Sequence, residues 1–245
     1  MTQPFGIFIQ CYKQPYATYE ALKSAREHYP EATIIVVSDN GYDYTEMASH
    51  FNCTYIHETE SISPTYTELE SGYHIIHTNN LIKRLLKVFQ LFKEEYIMWL
   101  EDDVSINSKI TDTFRYDING FCPNLFPIQK VKDKYPFLSE DVVYRFSGHG
   151  GSVYHKDNMI NYFQNKETID DILLHWLDYG FPVTICVDFL CSSIALLNKG
   201  TVGPYNGHCD GYDGKNNDII VQHQYKKFYN LSMPEHIKPF VVIEK

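Results

Sequence analysis

Three segments are apolar over nearly their whole length, and they constrain the fold more than any other feature of the chain. They are GIFIQCY from Gly6, TIIVV from Thr33 to Val37, and YIMWL from Tyr96 to Leu100. A strand that is apolar throughout, rather than at alternate positions, is covered on both faces, and such strands belong to parallel sheets. The pattern predicts an α/β fold with a mostly parallel central sheet flanked by helices.

Helical patterns separate these strands. One helix begins at Pro15 and runs through Tyr29, and a shorter one from Tyr44 to Phe51 precedes the strand CTYI. The segment NNLIKRLLKVFQLFKEE repeats apolar residues at helical spacing and leads directly into YIMWL. The order β-α-β-α-β is typical of a doubly wound sheet, and 245 residues fit one such domain.

The second half of the chain is less regular. VVYRFSGHGGSVYHKD predicts two strands around a glycine-rich turn. ETIDDILLHWLDYG and VDFLCSSIALLNKG predict helices, and Gly200 ends the second of them. The segment from Tyr205 to Asp218 is rich in Gly, Asn and Asp, which predicts a mobile loop.

Composition disfavours several classes of function. With a formal net charge of −10 and no basic patch, the chain is not expected to bind nucleic acid. Its 11 histidines and 6 cysteines form neither an HExxH motif nor a CxxC pair, which disfavours a zinc enzyme. The N-terminus lacks signal-peptide features and no apolar stretch reaches the roughly 18 residues of a membrane span, so we expect a cytoplasmic protein.

Three acids, Glu101, Asp102 and Asp103, follow the strand YIMWL directly. Adjacent carboxylates at the end of a buried strand repel one another, and they cost stability unless a cation lies among them. A solvated acidic turn is the other interpretation. Ligands of open α/β sheets bind outside the carboxyl ends of the strands, and Asp39 also follows a strand. The acids therefore stand where this fold binds ligands.

This order of elements resembles the GT-A-fold, nucleotide-sugar-dependent glycosyltransferases. Members have a Rossmann-like N-terminal half, an acidic residue after an early strand and a DxD metal motif after a later one. SDNG, from Ser38 to Gly41, is similar to the early acidic turn, and Glu101-Asp102-Asp103 is similar to the metal motif, with Glu in its first position. The resemblance implies a nucleotide-sugar-binding half over residues 1–106 and an acceptor-binding half over residues 107–245 of a single domain.

The chemistry of such enzymes explains the acids. A sugar leaves a nucleoside diphosphate only if the charge that builds on the phosphates is neutralised, and Mn²⁺ or Mg²⁺, held by oxygen ligands, does this. By resemblance, Asp103 holds the metal, and Glu101 or Asp102 reaches the ribose or a metal-bound water.

The donor nucleotide is assigned to further residues by the same resemblance. Asp39 would accept hydrogen bonds from the base or ribose, and Gln10 and Tyr12 would line the base pocket. A turn acid or a helix N-cap is the alternative for Asp39. Arg84 lies on the helix before the strand that ends in the three acids and could contact the nucleotide, although an exposed helical Arg is the favoured interpretation.

The motif GHGG, Gly148 to Gly151, brings backbone close to a ligand or forms an ordinary hairpin turn. By resemblance, Gly150 and Gly151 lie where the donor sugar meets the acceptor. A C-terminal histidine often joins the metal ligands in this family. His223 is preferred over His208 because it follows a β-like run and precedes Lys226 and Lys227, which could face the diphosphate.

An inverting transferase needs a carboxylate that removes the proton of the acceptor hydroxyl. Asp188, a lone acid in the apolar run TICVDFL, fits this role, and a helix N-terminal acid stabilised by the helix dipole is the alternative. Asp170 and Asp171 are the reserve candidates.

These observations predict a metal-dependent glycosyltransferase, with inversion preferred, that acts on a glycan, lipid or protein acceptor. A nucleotidyltransferase on a similar sheet is one rival, but it would need a Gly-rich basic loop where CYKQPY supplies only Lys13. A metal-dependent sugar-binding module without catalysis is the other rival.

Overall fold

The computed structural model describes residues 4–58, 66–69, 74–148, 150–211 and 219–242. The strands in chain order are β1 (Phe5–Cys11), β2 (Ile34–Asp39), β3 (Thr54–Glu58), β4 (Tyr66–Glu68), β5 (Tyr96–Glu101), β6 (Ser105–Ile106), β7 (Ile118–Asn119), β8 (Val153–His155), β9 (Thr184–Cys186), β10 (Val202–Gly203), β11 (His208–Asp210) and β12 (Val221–His223). The helices are α1 (Pro15–His28), α2 (Thr45–His50), α3 (His74–Phe89), α4 (Ile128–Val131), α5 (Lys156–Gln164), α6 (Lys166–Leu174) and α7 (Val187–Leu197). Short 3-10 helices span Lys226–Phe228 and Lys238–Phe240.

The central sheet has seven strands in the order β10-β7-β8-β5-β1-β2-β3. Strand β8 is antiparallel to both of its neighbours, and the other pairs in the sheet are parallel. The predicted α/β class with a mostly parallel, helix-flanked sheet is confirmed.

The apolar strands are covered on both faces. Phe8, Ile35 and Ile97 point into a core that includes the inner face of α3, and Ile7 and Val36 point into a second core with α1. Alternate residues of one strand thus enter different cores, which is why these strands carry no polar stripe.

Most of the predicted elements of the first half are present, with shifted ends. The third predicted helix begins earlier, at His74, and ends at Phe89 instead of continuing to Glu95. Phe92, beyond its end, is still buried in the core next to α3. The apolar side chains that predicted the helix are therefore buried, although the helix itself is shorter at its C-terminal end.

Two expectations for the second half are wrong. VVYRFS forms no strand, because its ladder pairing is limited to one isolated antiparallel bridge between Arg145 and Leu125, and Ser147 N donates instead to a side chain, Ser192 Oγ, at 2.8 Å. The expected loop after Tyr205 contains strand β11, which pairs with β12. Residues 212–218 of that expected loop, and His149 of the glycine-rich turn, lie outside the described residues.

The strand order locates a crevice. From β1 the chain adds β2 and β3 on one side and later adds β5 on the other, so the carboxyl ends of β1 and β5 form a topological switch point. A separate three-stranded sheet has the order β11-β12-β6, and its strand β6 follows the acids at the end of β5 closely in the chain. Within the described ranges, no helix is both long and apolar enough to cross a bilayer.

Candidate functional site

Glu101, Asp103 and His223 come together at the carboxyl end of β5. The Nε2 atom of His223 lies 3.2 Å from Glu101 Oε2 and 3.6 Å from Asp103 Oδ1. One ligand atom from each of the three residues lies within 4.8 Å of the others. Antiparallel pairing of β12 with β6 delivers His223, because β6 starts two residues after Asp103. We call these three residues the acid cluster.

The acid cluster is poorly solvated. Asp103 is 5% exposed and His223 is 4% exposed. Burial and the neighbouring charge of Glu101 raise the pKa of Asp103 to about 6, against the opposing effects of His223 and Lys226. Carboxylates held together under these conditions are costly as anions, and a cation among them would remove that cost.

The residues present fit a divalent cation. Two carboxylates and one imidazole form a set of hard and borderline ligands that suits Mn²⁺ or Mg²⁺, and a set of three leaves coordination positions for a ligand. Gly150 passes close behind the set: a Cβ atom at this position would lie 2.8 Å from His223 Cδ2 and 3.3 Å from Glu101 Oε2. Only a residue without a side chain allows this approach.

Asp102 is not a member of the acid cluster. Its carboxylate accepts a hydrogen bond from the Tyr229 hydroxyl, and burial raises the pKa of Asp102 to about 7. Of the two acids left open by the sequence, Glu101 lies beside Asp103 and His223. The contact with Tyr229 had no signal in the sequence, since the two residues are 127 positions apart.

Asp39 and Arg84 form a buried ion pair near the crevice, with Arg84 Nη2 2.7 Å from Asp39 Oδ1. Each residue is only 5% exposed, so the favoured interpretation of Arg84 as an exposed helical residue is wrong. The N-cap interpretation of Asp39 also fails, because α2 begins at Thr45, whose N–H is bonded by Asp43.

Gln10 and Tyr12 lie at the end of β1. Gln10 pairs in register with Glu101 and is buried, and its Oε1 atom has no hydrogen-bond partner among the described residues. Tyr12 is exposed, with Lys13 Nζ 5.0 Å from its ring centre. Gln10 thus offers an unused acceptor, and Tyr12 offers an exposed aromatic ring with a cation beside it.

The glycine-rich turn connects the acid cluster to α7. Gly148 has a φ of +121°, and a Cβ atom there would lie 3.1 Å from Asp188 Cα. Asp188 is half-buried in the first turn of α7. Burial raises the pKa of Tyr154, and the charges of Asp188 and Glu101 add to the effect, so Tyr154 lies in the field of both acids.

The reserve candidates for a base are engaged in other contacts. Asp171 accepts hydrogen bonds from Lys134, Tyr135 and Tyr179. Asp170 is exposed and pairs with Lys166 one helical turn away. These contacts anchor the surface around α6.

A basic side chain also reaches the acid cluster. Lys226 Nζ lies 3.9 Å from Asp103 Oδ2, and Tyr225 N donates to the carbonyl oxygen of Asp103 at 2.7 Å. The segment after β12 is thus held against the acids by its backbone, with the Lys226 side chain about half exposed beside them.

No family model and no curated protein matches this sequence. Solved structures do match. An active-site mutant of LgtC is 12% identical over 89% of this chain and 86% of its own, with a TM-score of 0.51. The glycosyltransferase GlyE of Streptococcus pneumoniae TIGR4 is 10% identical over 97% of this chain and 60% of its own, with a TM-score of 0.54.

The protein has the GT-A-type fold of these glycosyltransferases. The resemblance predicted from the sequence is thereby confirmed for the fold. A structure of the galactosyltransferase LgtC with donor and acceptor sugar analogs is also similar, at 13% identity over 89% of this chain and 86% of its own, with a TM-score of 0.49.

Proposed function

We propose that the protein is a metal-dependent glycosyltransferase that moves a sugar from a nucleoside-diphosphate sugar to a hydroxyl group of a glycan, lipid or protein. The acid cluster carries this proposal: two carboxylates and a histidine meet at the switch point of a glycosyltransferase fold. The fold shared with the glycosyltransferases LgtC and GlyE supports the proposal.

Glu101, Asp103 and His223 would hold Mn²⁺ or Mg²⁺, which supplies charge neutralisation for the leaving diphosphate. Lys226, beside Asp103, and the exposed Lys227 would face the same phosphates from the segment after β12. Asp102 would act through Tyr229, holding this segment in place.

The nucleotide would lie over the ends of β1 and β2, within residues 1–106. Arg84 orients the carboxylate of Asp39 toward the base or ribose, and Gln10 Oε1 offers a further acceptor. The exposed ring of Tyr12 would cover the base. Gly150 and Gly151 would let the donor sugar approach the backbone, and residues 107–245 would bind the acceptor.

Release of nucleoside diphosphate tests the proposal. The protein should release it from at least one of the UDP-, GDP- and dTDP-sugars in the presence of Mn²⁺ and acceptor, and EDTA should stop the release. Release of pyrophosphate would instead indicate a nucleotidyltransferase. Sugar binding without any turnover would indicate a binding module, and either result contradicts the proposal.

Asp188 would be the general base of an inverting reaction. Its backbone lies next to Gly148 of the glycine-rich turn, and Gly150 of the same turn contacts the acid cluster, which supports this role. Asp188→Asn keeps the shape of the side chain, so we expect kcat to fall on the order of a hundredfold to ten-thousandfold while donor affinity is retained. The anomeric configuration of the product, determined by NMR, checks the stereochemistry. A variant with full turnover would show that the base is elsewhere.

A further inference from the structure

His208 is a second buried histidine near the acid cluster, on the strand next to the one that carries His223. Its Nδ1 atom accepts a hydrogen bond from Phe121 N at 2.9 Å, and its Nε2 atom lies 2.9 Å from the carbonyl oxygen of Gly150. A backbone N–H can only donate, so Nδ1 carries no hydrogen. Nε2 therefore carries it and donates to Gly150.

The ring of His208 is thus committed on both sides. Neither ring nitrogen remains for a metal, which excludes the alternative that His208 is the C-terminal ligand. The ring also stacks on Tyr205, with centres 5.1 Å apart and planes at 15°. Stacking and two hydrogen bonds fix the position of the Nε2 donor.

His208 and Tyr205 donate hydrogen bonds to two consecutive carbonyl groups of the glycine-rich turn. His208 bonds to Gly150 O, and the Tyr205 hydroxyl donates to Gly151 O at 2.7 Å. The turn is held from the opposite direction by β5, since Gly151 N donates to Trp99 O at 2.6 Å. Gly151 adopts a φ of +94°, so this backbone has little freedom to reach the same contacts another way.

The turn is in contact with the acid cluster. At Gly150 the space that a Cβ atom would need is taken by Val104, His223 and Glu101, whose nearest atoms would lie at 2.7, 2.8 and 3.3 Å. The Gly150 backbone therefore forms the wall against which two of the three cluster side chains rest. A small displacement of the turn would move that wall.

We propose that His208 is a positioning residue for the metal centre: by holding the Gly150 carbonyl, it fixes the wall that sets the separation of Glu101 and His223. The inference deepens the proposed function and rests on it, because it assumes that these residues bind a divalent cation. A purely structural role for His208 would stabilise the fold without changing cation affinity.

Two substitutions separate the two bonds of the ring. His208→Gln places an amide nitrogen near the position of Nε2, which keeps the donor to Gly150 and loses the acceptor for Phe121. His208→Asn places a carbonyl oxygen near the position of Nδ1, which keeps the Phe121 bond and loses the Gly150 bond. Both variants lose the stacking on Tyr205, so they form a matched pair.

The readout is Mn²⁺ binding by the full chain, followed by electron paramagnetic resonance of free Mn²⁺ without any sugar donor. We expect His208→Asn to bind Mn²⁺ on the order of tenfold more weakly, the usual size of an outer-shell effect, and His208→Gln to bind it within about threefold of the unchanged protein. His155→Asn is the control, because His155 also accepts a backbone N–H at Nδ1 but caps α5. It should leave Mn²⁺ affinity unchanged.

Unchanged Mn²⁺ affinity in His208→Asn, or equal weakening in both His208 variants, overturns the inference and leaves the proposed function standing. Absence of Mn²⁺ binding by the unchanged protein overturns both. If His208→Asn does not fold, His208→Ala replaces it: like His208→Gln it loses the ring and the Phe121 bond, but it also loses the bond to Gly150. Weaker Mn²⁺ binding by His208→Ala than by His208→Gln supports the inference, and equal binding by the two variants overturns it.

Discussion

Buried carboxylates in this protein have two opposite kinds of surroundings. Asp117 accepts hydrogen bonds from Asn158, Tyr162 and Thr201, the last through both its N–H and its hydroxyl. Asp103 is also buried, but its charged neighbours are His223, Lys226 and another acid, Glu101, and its Oδ1 atom accepts no hydrogen bond among the described residues. Asp117 therefore has hydrogen-bond donors for its carboxylate, whereas Asp103 has too few.

Asp171 is another carboxylate supplied with donors, and its pKa can be compared with that of Asp103. Burial favours a raised pKa for Asp171, but hydrogen bonds from Lys134, Tyr135 and Tyr179 outweigh it and lower the pKa below its usual value. At Asp103 burial is not outweighed, and the pKa rises to about 6. Burial alone therefore does not identify a ligand site. An acid that the protein leaves without enough donors is the better indicator.

The largest expected effect is that of Asp103→Asn on transfer. Loss of a metal ligand removes several kcal/mol of charge stabilisation, so we expect turnover to fall by about a thousandfold or more. The melting temperature of the metal-free protein should stay level or rise, because the acid cluster loses one of its repelling charges. Donor turnover and thermal unfolding measure the two effects, and full activity in this variant would refute the role of Asp103.

The next largest effect is that of Asp117→Ala on stability. Four hydrogen bonds are lost and Thr201 N keeps no acceptor, which should cost about 3 kcal/mol. The melting temperature should then fall by about 6–12 °C. Turnover by the folded protein should persist. Asp141→Ala, at an exposed site, is the control and should change neither quantity.

The smallest effect is the pH dependence at Asp171. Since its folded-state pKa is lowered, its stabilisation is complete above the unfolded value near 3.9 and is lost as pH falls through the folded value. Asp171→Asn should cost about 1–2 kcal/mol at pH 7, and the difference from the unchanged protein should shrink below about pH 4. Urea unfolding at pH 7 and pH 3 measures both. A difference that grows toward pH 3 would contradict the assigned sign.

The parts predicted well from the sequence are those governed by local patterns. β1, β2, β5 and α1 follow from continuous apolar runs and from Pro15 at a helix start. The two short strands at one end of the sheet could not be found in this way. β7 and β10 have two residues each, too few for any periodicity, and their pairing depends on contacts distant in the chain.

The candidate site shows the same limit. The sequence shows that acids follow a strand. It does not show which of the adjacent acids point toward the same site, because Glu101 is the last residue of β5 and Asp102 begins a turn. The prediction of an exposed Arg84 fails because its ion-pair partner, Asp39, lies on a different element. The sequence around a helical Arg does not reveal a partner that is distant in the chain.

The long separation between the cluster residues has a consequence for the order of folding. His223 and Glu101 are 122 positions apart, and they meet only after β12 has paired with β6. Contacts of such high sequence separation require closure of a large loop, which slows their formation relative to local contacts. The neighbouring strands β1, β2 and β5 can assemble without them. We therefore expect the compact domain to form first during folding and the acid cluster to assemble last.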